Sequence, residues 1–233
     1  MKYEGIKSLN SILLACALGL AATVNVGAEE SGHEHHDHHQ HDAIVEGEAD
    51  PHAHHRAMLE KPAEPARPAD VDLRDLALVD QDGRQVSFVG DVSGDRIVVM
   101  DFVYTSCTTI CPVLSAVFGQ VQERLGDQLG DEVALVSVSV DPVRDTPQRL
   151  KAYAARHRAQ PGWVWLTGPK TTMDEVLNGL GAYSPNFEDH PSMVLVGDGS
   201  TGEWSRFFGF PSPDRIMEQV NTLQAARQTA AGG

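Results

Sequence analysis

Ile97–Pro112, IVVMDFVYTSCTTICP, is the stretch that decides the fold of this chain. Its first seven residues are dense in β-branched and aromatic side chains, as a central strand covered on both faces requires. Thr105 and Ser106 break the run, and two cysteines follow four residues apart, Cys107 and Cys111. A helix is expected from about Ser106 to Leu125. Its interior side chains are Val113, Leu114, Val117, Phe118 and Val121, Pro112 lies where an early-turn proline is tolerated, and Gly126 ends it. If that helix begins near Ser106 or Cys107, the i,i+4 spacing stacks both sulfurs on one face, one turn apart. The first sulfur then meets unpaired backbone N–H groups and the positive end of the helix dipole, both of which favour thiolate. Such a pair can hold a soft metal ion. It can also oxidise, because about 6 Å between Cα atoms lies within the disulfide range. Spacing alone does not choose between metal and disulfide. The plainer reading, two core cysteines, is weakened by their setting: apart from Cys16 they are the only cysteines, and they occupy a loop bounded by Thr, Ser and Pro.

Outward from this stretch the pattern is strand and helix in alternation. Leu76–Val79 and Val86–Phe88 flank Asp82-Gly83 and read as a hairpin. Val133–Val140 is a second buried strand, in which Ser137 and Ser139 alternate with valines. Thr146 caps a helix with Pro147 at its first position, running to about Arg158. Trp163–Leu166 is a short strand, and Thr171 or Thr172 caps Met173–Leu180 before Gly181. Met193–Val196 and Glu203–Phe208 form a pair turned by Gly197-Asp198-Gly199, and Pro213–Gln228 is a closing helix. This order predicts an α/β sandwich with a central mixed sheet and parallel strands in its first half, the plan of a thioredoxin-like fold with its cysteine pair at the reactive position. The Ile97–Val103 strand should lie between Val133–Val140 and Met193–Val196.

A third functional group must come from elsewhere. Of 11 histidines, nine fall within His33–His55, leaving His157 and His190. His157, between Arg156 and Arg158 near a helix end, reads as a surface imidazole. His190 precedes an apolar strand, so it meets the cysteine loop if the two strands are neighbours. As an isolated residue it is equally a turn histidine. Asp141 and Asp189 are supporting or partner-facing candidates, while Phe187, Trp204 and Phe207 read as packing residues.

The chain of 233 residues is 41% apolar and carries a net charge of −15, which disfavours nonspecific binding to nucleic acid. Residues 1–28 read as a signal peptide or N-terminal anchor. Lys2 and Lys7 precede the apolar Ile12–Leu20, and Val26-Gly27-Ala28 fits a signal-peptidase site. Leu13-Leu14-Ala15-Cys16 resembles a lipoprotein box, though most of the apolar run follows that cysteine. Each of these readings exports the chain. Residues 29–70 read as a disordered His-rich and Pro-rich leader, in which nine imidazoles interleaved with Asp and Glu can bind Cu, Zn or Ni loosely. Its end, Lys61–Asp70, KPAEPARPAD, is a semi-extended spacer, and the folded domain is expected over 71–233.

Tyr104–Pro112, YTSCTTICP, resembles the CxxxCP motif of the Sco/SenC family, thioredoxin-like proteins implicated in copper delivery to cytochrome c oxidase. Asp141–Pro147, DPVRDTP, is similar to that family's DPxRDTP segment, and Asp189-His190 matches its third-ligand position in order and spacing. The resemblance covers about residues 71–228 and implies Cys107, Cys111 and His190 as ligands of one copper ion. Two positions depart from it: Thr108 stands where many members have Pro, and Pro191 follows His190 where Ser or Thr is usual. Pro191 can instead take the part of the cis-proline that faces the thiols in thioredoxins.

The chemistry of the residues agrees. Two thiolates and an imidazole suit Cu(I), the same set with a further donor suits Cu(II), and zinc accepts similar ligands. By the resemblance, the expected function is a metallochaperone that assists copper delivery to the copper-containing subunit of cytochrome c oxidase, or to another copper protein. A thiol–disulfide oxidoreductase that works with a periplasmic thiol reductant, and a copper sensor or buffer, are the other classes. The spacing is not diagnostic of a peroxidase. The expected location is the periplasm or the outer face of the inner membrane, with membrane attachment if the N-terminal segment is retained.

Overall fold

The computed structural model describes residues 65–232. The signal or anchor segment and the histidines of His33–His55 lie outside the described residues. The strands are β1 (Arg67–Pro68), β2 (Ala77–Asp80), β3 (Gln85–Ser87), β4 (Ile97–Val103), β5 (Val133–Ser139), β6 (Trp163–Thr167), β7 (Met193–Asp198) and β8 (Trp204–Phe208). The helices are α1 (Ile110–Leu125), α2 (Pro147–Arg156), α3 (Lys170–Gly179) and α4 (Pro213–Ala231).

One sheet runs in the order β1-β8-β7-β4-β5-β6-β2-β3. β4 pairs in parallel with β5 and antiparallel with β7, and β5 pairs in parallel with β6, so IVVMDFV is the central strand the sequence predicts. Every residue of β4, β5 and β7 is buried, as near-continuous apolar runs require. Side chains alternate between the two faces of the sheet. Ile97, Val99 and Val103 pack with α1, α2 and α4 through Leu114, Phe118, Tyr153 and Ile216. Val98, Met100 and Phe102 pack on the other face with Phe88, Val92 and α3 through Met173, Val176 and Leu177. The fold is α/β and thioredoxin-like.

Local chemistry sets the element ends. Thr146 and Ser212 accept from Arg149 N–H and Arg215 N–H, each followed by a proline at the first helical position. In the β2–β3 hairpin, the buried Asp80 carboxylate accepts from Asp82 N–H (2.8 Å), Arg84 N–H (2.9 Å) and Arg84 Nε (2.8 Å), while Gly83 takes φ 80°. α3 begins at Lys170 after Pro169 rather than at a threonine cap. The sheet takes in Arg67 and Pro68, upstream of Val71: β1 pairs antiparallel with β8 and gives that edge a neighbour. Among the described residues no helix is long and apolar enough to cross a membrane.

Candidate metal centre

β4 leaves the sheet at Val103, and the cysteine loop begins there. Helix α1 starts at Ile110, not near Ser106. Cys107 therefore precedes the helix, and Cys111 is its second residue. The two sulfurs do not stack along one helical face. Instead Cys107 Sγ sits over the open helix end and accepts from Cys111 N–H at 3.4 Å. Thr109 makes no side-chain cap, so this sulfur takes up one of the first-turn donors that a cap would satisfy. The physical reason for the late start is the loop's own hydrogen bonding: Cys107 N–H donates to Tyr104 O (3.0 Å), a turn that competes with helix at Ser106.

Both cysteines are free thiols and buried. Their acidities diverge. Burial pushes the Cys107 thiol up, but hydrogen bonds from the Cys111 and Thr109 backbone, the Cys111 thiol and the Tyr104 hydroxyl outweigh it and bring the pKa down to about 7. Cys111 goes the other way: burial raises it first, and the neighbouring Cys107 and Asp101 add to the rise. One sulfur is poised as thiolate and the other is held as thiol.

Asp145 anchors the loop. This carboxylate lies in the DPVRDTP segment and is buried. It accepts from Thr105 N–H (3.1 Å), Thr105 Oγ1 (2.6 Å) and Ser139 Oγ (2.7 Å), tying the residue two before Cys107 to the end of β5. Asp141 instead accepts from Arg144 Nη1 at 3.0 Å, which holds Arg144 5.2 Å above the Phe187 ring. Asp141 and Asp189 are the carboxylates that stand out in the sequence. Asp145 and the two strand serines are missed there, although an acid just before a Thr-Pro helix start was an available signal. Ser137 likewise binds Trp163 Nε1 (3.0 Å).

His190 lies at the same sheet end, after a short turn over Phe187–Asp189. Its Nδ1 faces Phe187 O at 2.7 Å, which leaves Nε2 as the free ring nitrogen. The Tyr104 ring meets both Phe187 (5.1 Å between centroids) and His190 (5.9 Å), each edge to face. Tyr104 thus touches the histidine with its ring and the Cys107 sulfur with its hydroxyl. The structure brings the two cysteines together. Among the described residues, no three His, Cys, Asp or Glu side chains stand close enough to hold a metal ion, so His190 is near the pair without joining it. No peptide bond among the described residues is cis, so Pro191 does not take the cis-proline part considered for it. His157 stays away from the site, at the end of α2. Rather than a free surface imidazole it is half-buried on Tyr153, with centroids 4.8 Å apart, and burial followed by the charge of Arg156 lowers its pKa.

A second carboxylate lies beneath the pair. Asp101, on β4, projects to the α1 face of the sheet and is completely buried, and neither oxygen has a partner of good hydrogen-bond geometry. Burial pushes its pKa up to about 7, against a weak opposing pull from the Ser137 hydroxyl on the neighbouring strand. Buried Ser115 Oγ and Tyr153 Oη on the same face are also without partners.

The structure thus sets an asymmetric dithiol over a helix start, and a histidine at the same sheet end, on a thioredoxin-like domain. The family model for SCO1/SenC matches residues 66–223, and the chain belongs to that family. A SCO1 protein homolog of Bacillus subtilis is 34% identical over 102 residues, covering 43% of this chain and 51% of that protein. A Stutzerimonas stutzeri relative whose name refers to copper binding is 32% identical over 106 residues, covering 46% and 50%. The matched stretches thus span about half the length of these curated relatives. Among solved structures, BsSco, described as having a disulfide switch and as a member of the Sco family of cytochrome c oxidase assembly proteins, is 26% identical with a TM-score of 0.56, covering 67% of this chain and 95% of that one. A SCO1/SenC family lipoprotein of Bacillus anthracis is 25% identical with a TM-score of 0.55, covering 66% and 95%.

Proposed function

We propose that this protein is a copper metallochaperone that carries copper on Cys107, Cys111 and His190 and assists its delivery to the copper centre of cytochrome c oxidase. The observation that carries the reading is the pair of free, buried thiols at the start of α1, one of them held at 3.4 Å from a helix N–H that favours its thiolate. The donor set fits the cargo: two soft sulfurs and one imidazole nitrogen suit Cu(I), and a further oxygen or nitrogen donor extends the set to Cu(II). His190 reaches the sulfurs by a shift of the loop around Phe187–Pro191, which keeps its Nδ1 on a backbone carbonyl and presents Nε2 to the metal. Membership of the SCO1/SenC family, a relative named for copper binding and a solved relative described as an oxidase assembly protein support the same reading. Its partners on this reading are the copper-containing oxidase subunit or another copper protein. Its location is the periplasm or the outer face of the inner membrane.

Titration with Cu(I) against a competing chelator tests it. One tight copper per chain is expected, lost in Cys107→Ser and in Cys111→Ser. Wild-type affinity in either variant overturns the assignment. A second reading, thiol–disulfide exchange, is favoured by the divergence between the two thiols, because a low-pKa attacking sulfur beside a high-pKa partner is the arrangement such exchange uses. The purified state separates the two: a copper-loaded dithiol supports delivery, and a metal-free disulfide supports exchange.

A further inference from the structure

The turn Asp141–Pro147, DPVRDTP, reaches both halves of the candidate site. Arg144 N–H and Asp145 N–H both donate to Asp141 O, at 3.0 and 2.9 Å, and Arg149 Nη1 braces Arg144 O at 3.1 Å. Ser139 Oγ fixes the turn to the end of β5: it donates to Asp145 and accepts from Asp141 N–H at 3.1 Å. From this rigid base two neighbouring side chains go to different loops. Asp145 takes both polar groups of Thr105, the N–H and the hydroxyl, two residues before Cys107. Arg144 lies over the Phe187 ring, and the Phe187 carbonyl holds His190 Nδ1.

The two contacts stand in different relations to metal binding. Cys107 already sits over the end of α1, against Cys111 N–H, where its thiolate is favoured. The hold of Asp145 on Thr105 keeps it there, so that contact belongs to the binding arrangement. His190 is retracted: among the described residues no third donor stands close enough to the sulfurs to complete a metal site. Bringing its Nε2 to the sulfurs moves the loop, and Phe187 moves with it because Nδ1 stays on the Phe187 carbonyl. That movement takes the ring off the Arg144 guanidinium. A contact made only while His190 is retracted opposes ligation by its own strength.

We propose that this turn positions the site from both sides: Asp145 keeps Cys107 over the end of α1, and Arg144, through Phe187, keeps His190 retracted until a metal draws it in. The inference rests on the copper reading above and gives two adjacent residues opposite effects. Loss of the Asp145 contact weakens copper binding in both oxidation states, because both use the thiols. Loss of the Arg144 contact tightens the state that draws most on the imidazole, which is Cu(II).

The full chain is the test object. For the Asp145 arm, alkylation of the reduced thiols is followed against pH without metal and mapped by peptide mass; Cys107 is 7% exposed and Cys111 0%, so Cys107 gives the fast reaction. Asp145→Asn should move the midpoint of that profile up by about one pH unit, because a sulfur loosened from Cys111 N–H loses a donor that favours its thiolate. Removing a nearby negative charge would by itself move it down, so the direction separates positioning from plain electrostatics. Cu(I) affinity should fall by about tenfold, the worth of one hydrogen bond to a charged group. Thr105→Val should shift the midpoint the same way by less, and Thr105→Ser should match the parent. An unmoved or lowered midpoint in Asp145→Asn, or in Thr105→Val where the first variant does not fold, overturns this arm. For the Arg144 arm, Arg144→Gln and Phe187→Leu are titrated with Cu(II) and Cu(I). Phe187→Leu keeps the Arg144 charge and its pairing with Asp141, so it isolates the ring contact. Both variants should bind Cu(II) about two- to fivefold tighter, the strength of one exposed cation–π contact, with Cu(I) affinity and the alkylation midpoint unchanged. Equal or weaker Cu(II) binding in Phe187→Leu overturns this arm. Either failure leaves the proposed function standing while the parent chain still holds one tight copper. Thiols that take no copper in the parent chain overturn both.

Discussion

Two buried aspartates on adjacent strands, Asp198 at one end of the sheet and Asp101 near the other, have opposite surroundings. Asp198 closes β7 and receives Arg227 Nε and Nη2, both at 2.6 Å, together with Ser200 N–H (2.8 Å), Ser200 Oγ (2.6 Å) and Thr201 N–H (3.2 Å). Burial alone would raise its pKa, but these donors hold it well below the carboxylate range. Asp101 has no such set and is pushed up to about 7. The Asp198 carboxylate is fully partnered, whereas beneath the cysteines several buried polar atoms, both Asp101 oxygens among them, are left without partners. A stable scaffold can carry such unsatisfied groups where its chemistry is done, because the rest of the fold over-determines their positions.

The largest expected effect comes from breaking the saturated end. Arg227→Ala leaves Asp198 buried with its main counter-charge gone, which costs about 3 kcal/mol in denaturant unfolding near neutral pH. The pH dependence has a definite sign. A depressed folded-state pKa contributes stability that is present above the unfolded value and lost as pH falls through the folded one, so the deficit of the variant should shrink in strong acid. Copper affinity should not change. A variant as stable as the parent would show that the Arg227 pairing is not what makes the buried Asp198 carboxylate tolerable.

Asp101→Asn sharpens the other side. With its pKa raised, the folded state keeps a proton that the unfolded chain loses near pH 3.8, so the parent loses stability as pH rises from about 4 to about 7. Asn removes that loss. The stability difference between variant and parent should therefore widen by roughly 2–3 kcal/mol in favour of Asn between pH 5 and pH 8, from about 1.4 kcal/mol per pH unit up to about pH 7 and little beyond it. Paired unfolding curves at the two pH values read this directly, and parallel shifts at both would mean that Asp101 is ionised throughout.

The strand that carries Asp101 was fully legible in the sequence, because seven consecutive residues dominated by β-branched and other apolar side chains admit few alternatives. The hairpin and both proline-started helices were legible for similar reasons: Asp82-Gly83, Thr146-Pro147 and Ser212-Pro213 each encode a local geometry. The start of α1 was not. Nothing in TSCTTICP distinguishes a helix at Ser106 from one at Ile110, since the choice depends on Asp145, 40 residues away, holding Thr105, and on a sulfur standing in for a cap. The same long-range dependence hid Asp145 and Ser139, whose partners are fixed only once β4 and β5 pair. Ala66–Pro68 looked like spacer because two residues contributing an edge pairing leave no periodicity to detect.

The smallest structural effect and a distinct functional one are expected at His190, the least restrained member of the cysteine end. One hydrogen bond, Nδ1 to Phe187 O at 2.7 Å, and one edge contact with Tyr104 position it, and the ring is only half-buried. Removing a single, partly exposed hydrogen bond costs about 0.5–1 kcal/mol, so His190→Ala should unfold close to the parent. Two thiolates still hold Cu(I) without the imidazole, so copper affinity should fall by less than in either cysteine variant. The stronger consequence falls on Cu(II), which favours nitrogen donors and has one fewer available. Parallel titrations with the two oxidation states therefore discriminate. A larger loss for Cu(II) than for Cu(I) identifies His190 as a ligand that swings in from its present position, and equal binding to parent and variant in both states returns it to the role of a turn histidine held by Tyr104.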